Sequence, residues 1–504
     1  MTLLRGPTSA FVLIVALLAS LAGSEQTSIT TTTASPIPVG SGALIWSAND
    51  GGASSAASKL KRLTLKSAAF GGSGGVWSDV PSMATNFTLA NPATITATYS
   101  LLLVALAPEI AGGNALRAAG GVLSDYVAAR VVVDGQPYRQ SGSHASPVGA
   151  TGAIERQLHA VLHTEVDAGP HVVKLQWRAS GSRVRAWTSD PTLLGGYSGG
   201  RSLVVTAFHR YLWFVHPQMT ARLAAPSPSA AVAVSAAAGV WKTVKGMTLS
   251  FTLPRAWPLR FVYSLNVVPT RARTFNPLAS HDYVATRVLL DGVPYAQSGS
   301  SLRMATVADG SGRLHSDMLL SVSSGVHSVE LQWRAWGGEN VPLWWSDPSA
   351  ADGFVAGRSL SVIGETFPVA ATAISAHERV RVTGNATNSS LGDAWLDVPN
   401  AAASFVLVSN ASVKLAYSMA LFNDAANAAR SWDAWRAKRW ATLAVRLVVD
   451  GRPYRSSGVR SNSLVRVTET LVGQLALPLA AGKHQAYLQW RLFGVAPDAE
   501  WSMM

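Results

Sequence analysis

The stretch Gly169-Pro170-His171-Val172-Val173-Lys174-Leu175-Gln176-Trp177-Arg178 alternates along its length. His171, Val173, Leu175 and Trp177 fall on one side, and Val172, Lys174, Gln176 and Arg178 on the other. A period of two with one apolar side is the pattern of a half-buried strand. It returns as His327, Val329, Leu331 and Trp333 against Ser328, Glu330, Gln332 and Arg334. A third copy is Leu488-Gln489-Trp490-Arg491, with His484 again six residues before the Trp. The pattern predicts that Trp177, Trp333 and Trp490 are buried, together with the Leu two residues before each.

Working outward, Asp-Gly-x-Pro-Tyr occurs at Asp134–Tyr138, Asp291–Tyr295 and Asp450–Tyr454, always four residues after an Arg (Arg130, Arg287, Arg446). Upstream, Trp77, Trp241 and Trp395 each precede a Tyr-Ser pair by 22 residues, at Tyr99, Tyr263 and Tyr417. The spacing from that Tyr to the Asp is 35, 28 and 33 residues, so one loop varies while the framework holds. Several motifs in one order mean three homologous modules. Asp-Gly between apolar runs reads as a tight hairpin turn, since both residues accept positive φ. Short strands with frequent Gly punctuation predict an all-β protein of three tandem antiparallel jelly-roll sandwiches. We place the modules at 69–210, 229–367 and 377–504, with Pro226 and Pro228 marking one linker and Ala370–Ala376 lying near the next.

The chain of 504 residues is 48% hydrophobic, which excludes a wholly disordered protein. It contains no Cys, which excludes disulfide scaffolds, Cys-ligated zinc, iron–sulfur sites and cysteine nucleophiles. Stability must come from burial, which modules of ordinary domain size can supply. Arg outnumbers Lys 32 to 9, and the formal charge is +13. That balance favours acidic polysaccharide or an anionic cell surface through long-range attraction. Nucleic acid is not expected, because the cations are dispersed rather than gathered in a basic block.

At the N-terminus, Arg5 precedes the apolar run Phe11–Leu21, and small residues follow at Ser20, Ala22 and Ser24. This reads as a signal peptide over 1–24, cut near Ala22 or Ser24, and so as a secreted, extracellular protein. An uncleaved anchor is the alternative, although the run is short for a bilayer span, and nothing later is long enough to span one. Residues 25–43 are a Ser/Thr-rich linker. Asn86, Asn385, Asn388 and Asn410 stand in glycosylation sequons.

The order of motifs resembles the jelly-roll heads of the tumour necrosis factor and complement-head superfamily. It runs from an early Trp through the Tyr-Ser strand and the Arg-x-x-x-Asp-Gly hairpin to Gly-x-His-x-Val-x-Leu-x-Trp. A closing Gly-Arg-Ser-Leu strand follows at Gly200–Leu203 and Gly357–Leu360. The resemblance implies extracellular binding and threefold assembly. It carries over no catalytic residues, and a collagen-like stalk is absent from this sequence.

Each candidate site also has a structural reading. Gly196-Tyr197-Ser198-Gly199-Gly200 matches the hydrolase elbow Gly-x-Ser-x-Gly, but the second module has Gly353-Phe354-Val355-Ala356-Gly357 there, and no helical pattern follows either. Catalysis is therefore not expected. The repeated histidines read as residues hydrogen-bonding at a core edge, and the Asp of Asp-Gly as a turn former; no cofactor or metal ligand set is expected. Gln176, Arg178, Gln332, Arg334, Gln489 and Arg491 point away from the core, where they line module–module contacts, bind ligand, or form a solvated framework. In the third module's variable loop, Trp432, Trp435, Arg436, Lys438, Arg439 and Trp440 combine aromatic and cationic groups that suit sugars or anionic headgroups. The plainer alternative is a loop packing its own aromatics.

These features predict a non-enzymatic binding or extracellular structural protein. The rivals are a lectin-like sugar binder and a polysaccharide-active enzyme, the latter requiring paired carboxylates about a cleft. One further expectation concerns closure. The first two modules continue into Gly-Arg-Ser-Leu and a final strand, which the third does not. We expect residues 44–68 to supply that strand to module three, with Leu60–Leu65 pairing against strands between Trp395 and Trp501, giving an intramolecular pseudo-trimer.

Overall fold

The computed structural model describes residues 11–18, 44–49, 63–67, 75–106, 126–145, 154–181, 186–189, 201–207, 211–217, 220–225, 239–270, 282–303, 312–336, 343–346, 358–364, 372–376, 381–383, 394–407, 410–423, 441–463, 468–494 and 500–503. Nearly all of them lie in antiparallel strands. None of the described helices is long and apolar enough to cross a membrane.

The second module shows the repeating plan most completely. One sheet runs Tyr211–Val215, Arg358–Gly364, Trp257–Thr270, Gly312–Val322. The other runs Lys242–Leu253, Gly325–Trp336, Tyr283–Leu290, Val293–Arg303. Most connections cross from one sheet to the other, which is the jelly-roll arrangement of two packed sheets. Between the sheets lies a core that includes Phe261, Tyr263, Leu331, Trp333 and Trp344. The first and third modules have their own cores, around Trp177 and Trp490. Trp177, Trp333 and Trp490 are buried, as are Leu175, Leu331 and Leu488, so the alternating strand faces as read.

The hairpins also form as expected. Asp134 and Gly135 have φ of 50° and 82°, Asp291 and Gly292 52° and 78°, and Asp450 and Gly451 50° and 75°. Paired positive φ values are those of the type I′ turn, whose twist matches the flanking strands.

The module boundaries need correction. Tyr211–Val215 pairs with Arg358–Gly364, and Ala221–Ala224 with Leu343–Ser346, so the second sandwich begins before Pro226 rather than after Pro228. Thr372–Ala376 likewise belongs to the third sandwich, not to a linker. The expected donation by residues 44–68 is not found. Leu44–Asn49 pairs with Arg201–Ala207 and Leu63–Lys66 with Ala186–Ser189, both within the first module. The reason is visible in register: Trp46 lies opposite Val205 as Trp213 lies opposite Val362, so this segment is the first module's own edge strand. The strand that pairs in the third module comes from farther upstream. Phe11–Leu18 lies between Thr372–Ala376 and Ala411–Asn423.

The three sandwiches touch in pairs. Arg313 Nη1 donates to Ser143 Oγ at 3.0 Å, and Val161 packs with Val262 and Ile363, joining modules one and two. Gln474 Nε2 donates to the Thr98 carbonyl at 2.8 Å, joining one and three. Ser300 Oγ and Thr470 Oγ1 are 3.0 Å apart, joining two and three.

Candidate functional site

On the face of each sandwich formed by the strand that carries Leu-Gln-Trp-Arg, the outward residues assemble into a ladder. In module one, Arg130 donates through Nε and Nη2 to Gln176 Oε1 at 3.0 and 2.8 Å. Its guanidinium lies 4.2 Å from the centre of the Trp77 ring, and that of Arg178 lies 4.7 Å from the same ring. Gln176 Nε2 donates in turn to Asp79 Oδ1, and Lys174 Nζ to Asp79 Oδ2, each at 2.8 Å. These two hydrogen bonds hold the Asp79 carboxyl below its ordinary range. Burial, then the neighbouring Arg178 charge, pull Arg130 down to about 10, which leaves it cationic at neutral pH.

Module two repeats the arrangement. Arg287 donates to Gln332 Oε1 at 3.1 and 2.9 Å and lies 4.3 Å from the Trp241 ring centre. Arg334 lies 4.7 Å from Trp241 and 3.7 Å from Trp336, whose ring stacks on Tyr283. In module three, Arg446 donates to Gln489 Oε1 at 3.0 and 2.7 Å and lies 4.0 Å from Trp395, while Gln489 Nε2 donates to Asp397 Oδ1 at 2.9 Å. The partners shown for Gln176, Gln332 and Gln489 all come from their own modules. Alternation turns Gln176, Gln332 and Gln489 onto the sheet face away from the core.

A second constellation closes each Asp-Gly hairpin. His171 Nδ1 is 2.7 Å from Asp134 Oδ2, and its Nε2 is 2.7 Å from the Asp167 carbonyl. His327 does the same with Asp291 and Ser323 at 2.8 and 3.0 Å, and His484 with Asp450 and Ala480 at 2.7 and 2.8 Å. For His171 and His484 both partners are acceptors, so satisfying both requires a proton on each nitrogen. For His171 and His484, burial opposes the charged ring, but the carboxylate and carbonyl outweigh it and raise the pKa above the ordinary histidine value. Each Asp also accepts from the backbone N–H following its His or equivalent position, as in Val172 N to Asp134 Oδ1 at 2.8 Å. These histidines therefore lock turns, as their place in the sequence suggested.

A third element was missed in the sequence, although it repeats there. Ser141, Ser298 and Ser457 each follow the Tyr of Asp-Gly-x-Pro-Tyr by three residues. Each Oγ donates to that Tyr's carbonyl and accepts from the backbone N–H of Val131, Val288 or Leu447. The carbonyl of the same Ser accepts the hydroxyl proton of Tyr99, Tyr263 or Tyr417. That bond gives the buried Tyr-Ser tyrosine its partner.

Where modules meet, the polar residues do not repeat in all three modules. The His159 and His315 rings meet edge to face with centroids 4.4 Å apart, and both are buried. Burial, with Arg313 and the opposing imidazole for His159 and with Arg313 and Arg260 for His315, lowers both well below the ordinary value. They are neutral at physiological pH. Arg260 Nε donates to both carboxylate oxygens of Asp317 at 2.7 and 2.9 Å, and its Nη2 also bonds Oδ2, in a fully buried pair.

Of the remaining candidates, Trp432, Trp435, Arg436, Arg439, Asn385, Asn388 and the Gly196–Gly200 elbow lie outside the described residues. Asn86 is exposed on its strand, and Asn410 is exposed with its Oδ1 accepting from Ala481 N at 2.9 Å.

No protein-family model matches the chain. No curated protein matches it either. Among solved structures it is similar to PNGase F, a glycosylasparaginase from Flavobacterium meningosepticum, at 10% identity over 63% of this chain and 99% of that one, with a TM-score of 0.27. It is also similar to tandem CBM51 modules of a family 98 glycoside hydrolase from Streptococcus pneumoniae, at 10% identity over 57% and 83%, with a TM-score of 0.14. A third likeness is to a structure of infectious bursal disease virus, at 9% identity over 92% and 80%, with a TM-score of 0.20. Likeness of this degree transfers no residue role and no activity to this chain.

Proposed function

We propose that the protein is a non-enzymatic binding protein for acidic polysaccharide or a comparable anionic surface, using the outward Arg–Gln–Trp ladders. The observation that carries this reading is their recurrence in all three modules, with Arg130, Arg287 and Arg446 each gripped by a Gln and laid on a Trp. Two N–H groups on one oxygen and an aromatic face fix the guanidinium before any ligand arrives. An anion that docks there meets Arg130 and Arg287, half-buried cations whose rotamer freedom is already restricted, which lowers the ordering cost of binding, while Arg446 is more deeply covered. Lys174 stands beside the first ladder, and Lys242 and Lys245 are exposed next to the second. The charge of +13 adds long-range attraction. The repeated histidines and aspartates are occupied in turn locking, which supports a binding role over catalysis.

The test is retention on immobilised heparin, used as a sulfated polysaccharide probe, across a salt series. The reading expects binding that weakens steeply with salt and falls at least tenfold in Lys174→Glu/Lys242→Glu/Lys245→Glu. Absence of binding at low salt, or binding indifferent to the triple variant, overturns it.

A further inference from the structure

We propose that Phe11–Leu18 is the permanent closing strand of the third sandwich and stays in the working protein instead of being shed as a leader. The place held by Arg201–Ala207 in the first module and Arg358–Gly364 in the second is held in the third by Phe11–Leu18. The register agrees residue by residue. Leu203 lies opposite Tyr99, Leu360 opposite Tyr263, and Leu13 opposite Tyr417. Val205 lies opposite Ala97, Val362 opposite Phe261, and Val15 opposite Leu415. Leu-x-Val thus recurs at the same two rungs of all three ladders, beside the same Tyr-Ser strand. A slip of one residue would exchange the two faces of the strand, so agreement in register is a specific signal.

The neighbours on the far side agree as well. Ala48 lies opposite Leu203, Val215 opposite Leu360, and Ile374 opposite Leu13. Removing Phe11–Leu18 would open the edge of Ala411–Asn423, and among the described residues it would leave Thr372–Ala376 with no strand partner. Unpaired edges of this kind are what folded sheets avoid. The strand of eight residues is far short of the ~20 needed to span a bilayer as a helix. The 25 residues between Leu18 and Leu44 leave ample chain to reach from the third module back to the first. The leader reading and the strand reading claim the same residues, and only one holds in the working protein.

Because the chain contains no Cys, a single engineered pair reports the strand directly. Val12 and Ser418 are register partners. The full chain, produced from its own start in a secretory host as Val12→Cys/Ser418→Cys, should keep residues 11–18 by intact mass. On oxidation it should yield a peptide joining positions 12 and 418. The out-of-register pair Val12→Cys/Ala416→Cys should cross-link at least tenfold less. A product beginning near residue 23, or equal cross-linking of the two pairs, overturns the proposal. A second measurement covers poor folding of the variants: deletion of residues 1–24 from the Cys-free chain should lower the melting temperature by several degrees and promote self-association. An unchanged melt in a monomeric product contradicts it.

Discussion

The polar residues on the outward sheet of each sandwich repeat, and those on the inward strand that faces the neighbouring modules diverge. Outward, the same trio stands three times: Arg130 with Gln176 and Trp77, Arg287 with Gln332 and Trp241, Arg446 with Gln489 and Trp395. Inward, equivalent rungs hold His159, His315 and Val472; then Gln157, Arg313 and Thr470; then Val161, Asp317 and Gln474. The outward residues solve a problem internal to one module, so one solution serves all three. Each inward residue meets a different neighbour, so the copies have diverged. The same contrast divides the histidines, with His171 and His484 raised in pKa by their turn partners and His159 and His315 lowered by burial among cations.

Substitutions on the two faces should separate accordingly. The buried core common to all modules sets the upper reference: Trp333→Ala should cost about 3–5 kcal/mol by chemical denaturation, through lost burial and a cavity. Asp317→Asn should approach the same ~3–5 kcal/mol, because it leaves the buried Arg260 without its carboxylate. Trp241→Ala on the outward ladder should cost less, about 1–2 kcal/mol, from a half-buried ring and its guanidinium contacts. Asp79→Asn, an exposed carboxylate paired with Lys174, should cost under about 1 kcal/mol. Equal effects at Asp317 and Asp79 would erase the distinction between the faces.

A pH titration of stability should show the smallest effects, with opposite signs. The interface histidines have depressed pKa values, so their contribution is present above the unfolded value of about 6.5 and is lost as pH falls below it. His171 and His484 have raised values, so their contribution is present below about 6.5 and is lost as pH rises through the folded pKa. His159→Gln/His315→Gln should therefore lose acid sensitivity, while Asp134→Asn should lose the decline on the alkaline side. Denaturation midpoints between pH 5 and 8 decide both.

This contrast also explains what could be read from sequence. Repetition exposed Trp177, the Asp134-Gly135 turn and the His171 alternation, because each is local and recurs. Ser141, Ser298 and Ser457 recur as well, but a serine acquires meaning only when the backbone groups it bridges are seen. Arg313 and Asp317 recur in neither sibling and His159 in only one, as His315, so no threefold pattern marked them as facing another module. The gap in module three was legible, but its occupant was not. Phe11–Leu18 has the composition of a leader, and only strand pairing distinguishes the two.

The central claim is that three sandwiches close on one another, through residues such as Val161, Arg313 and Gln474 of their inward sheets together with Ser143 and Ser300 on edge strands of the outward ones, and small-angle X-ray scattering of the monomeric chain tests it most directly. Mutual contact among all three modules predicts a radius of gyration near that of a compact chain of this length, about 23 Å. A value well above about 30 Å, as expected for sandwiches strung along linkers, would contradict it.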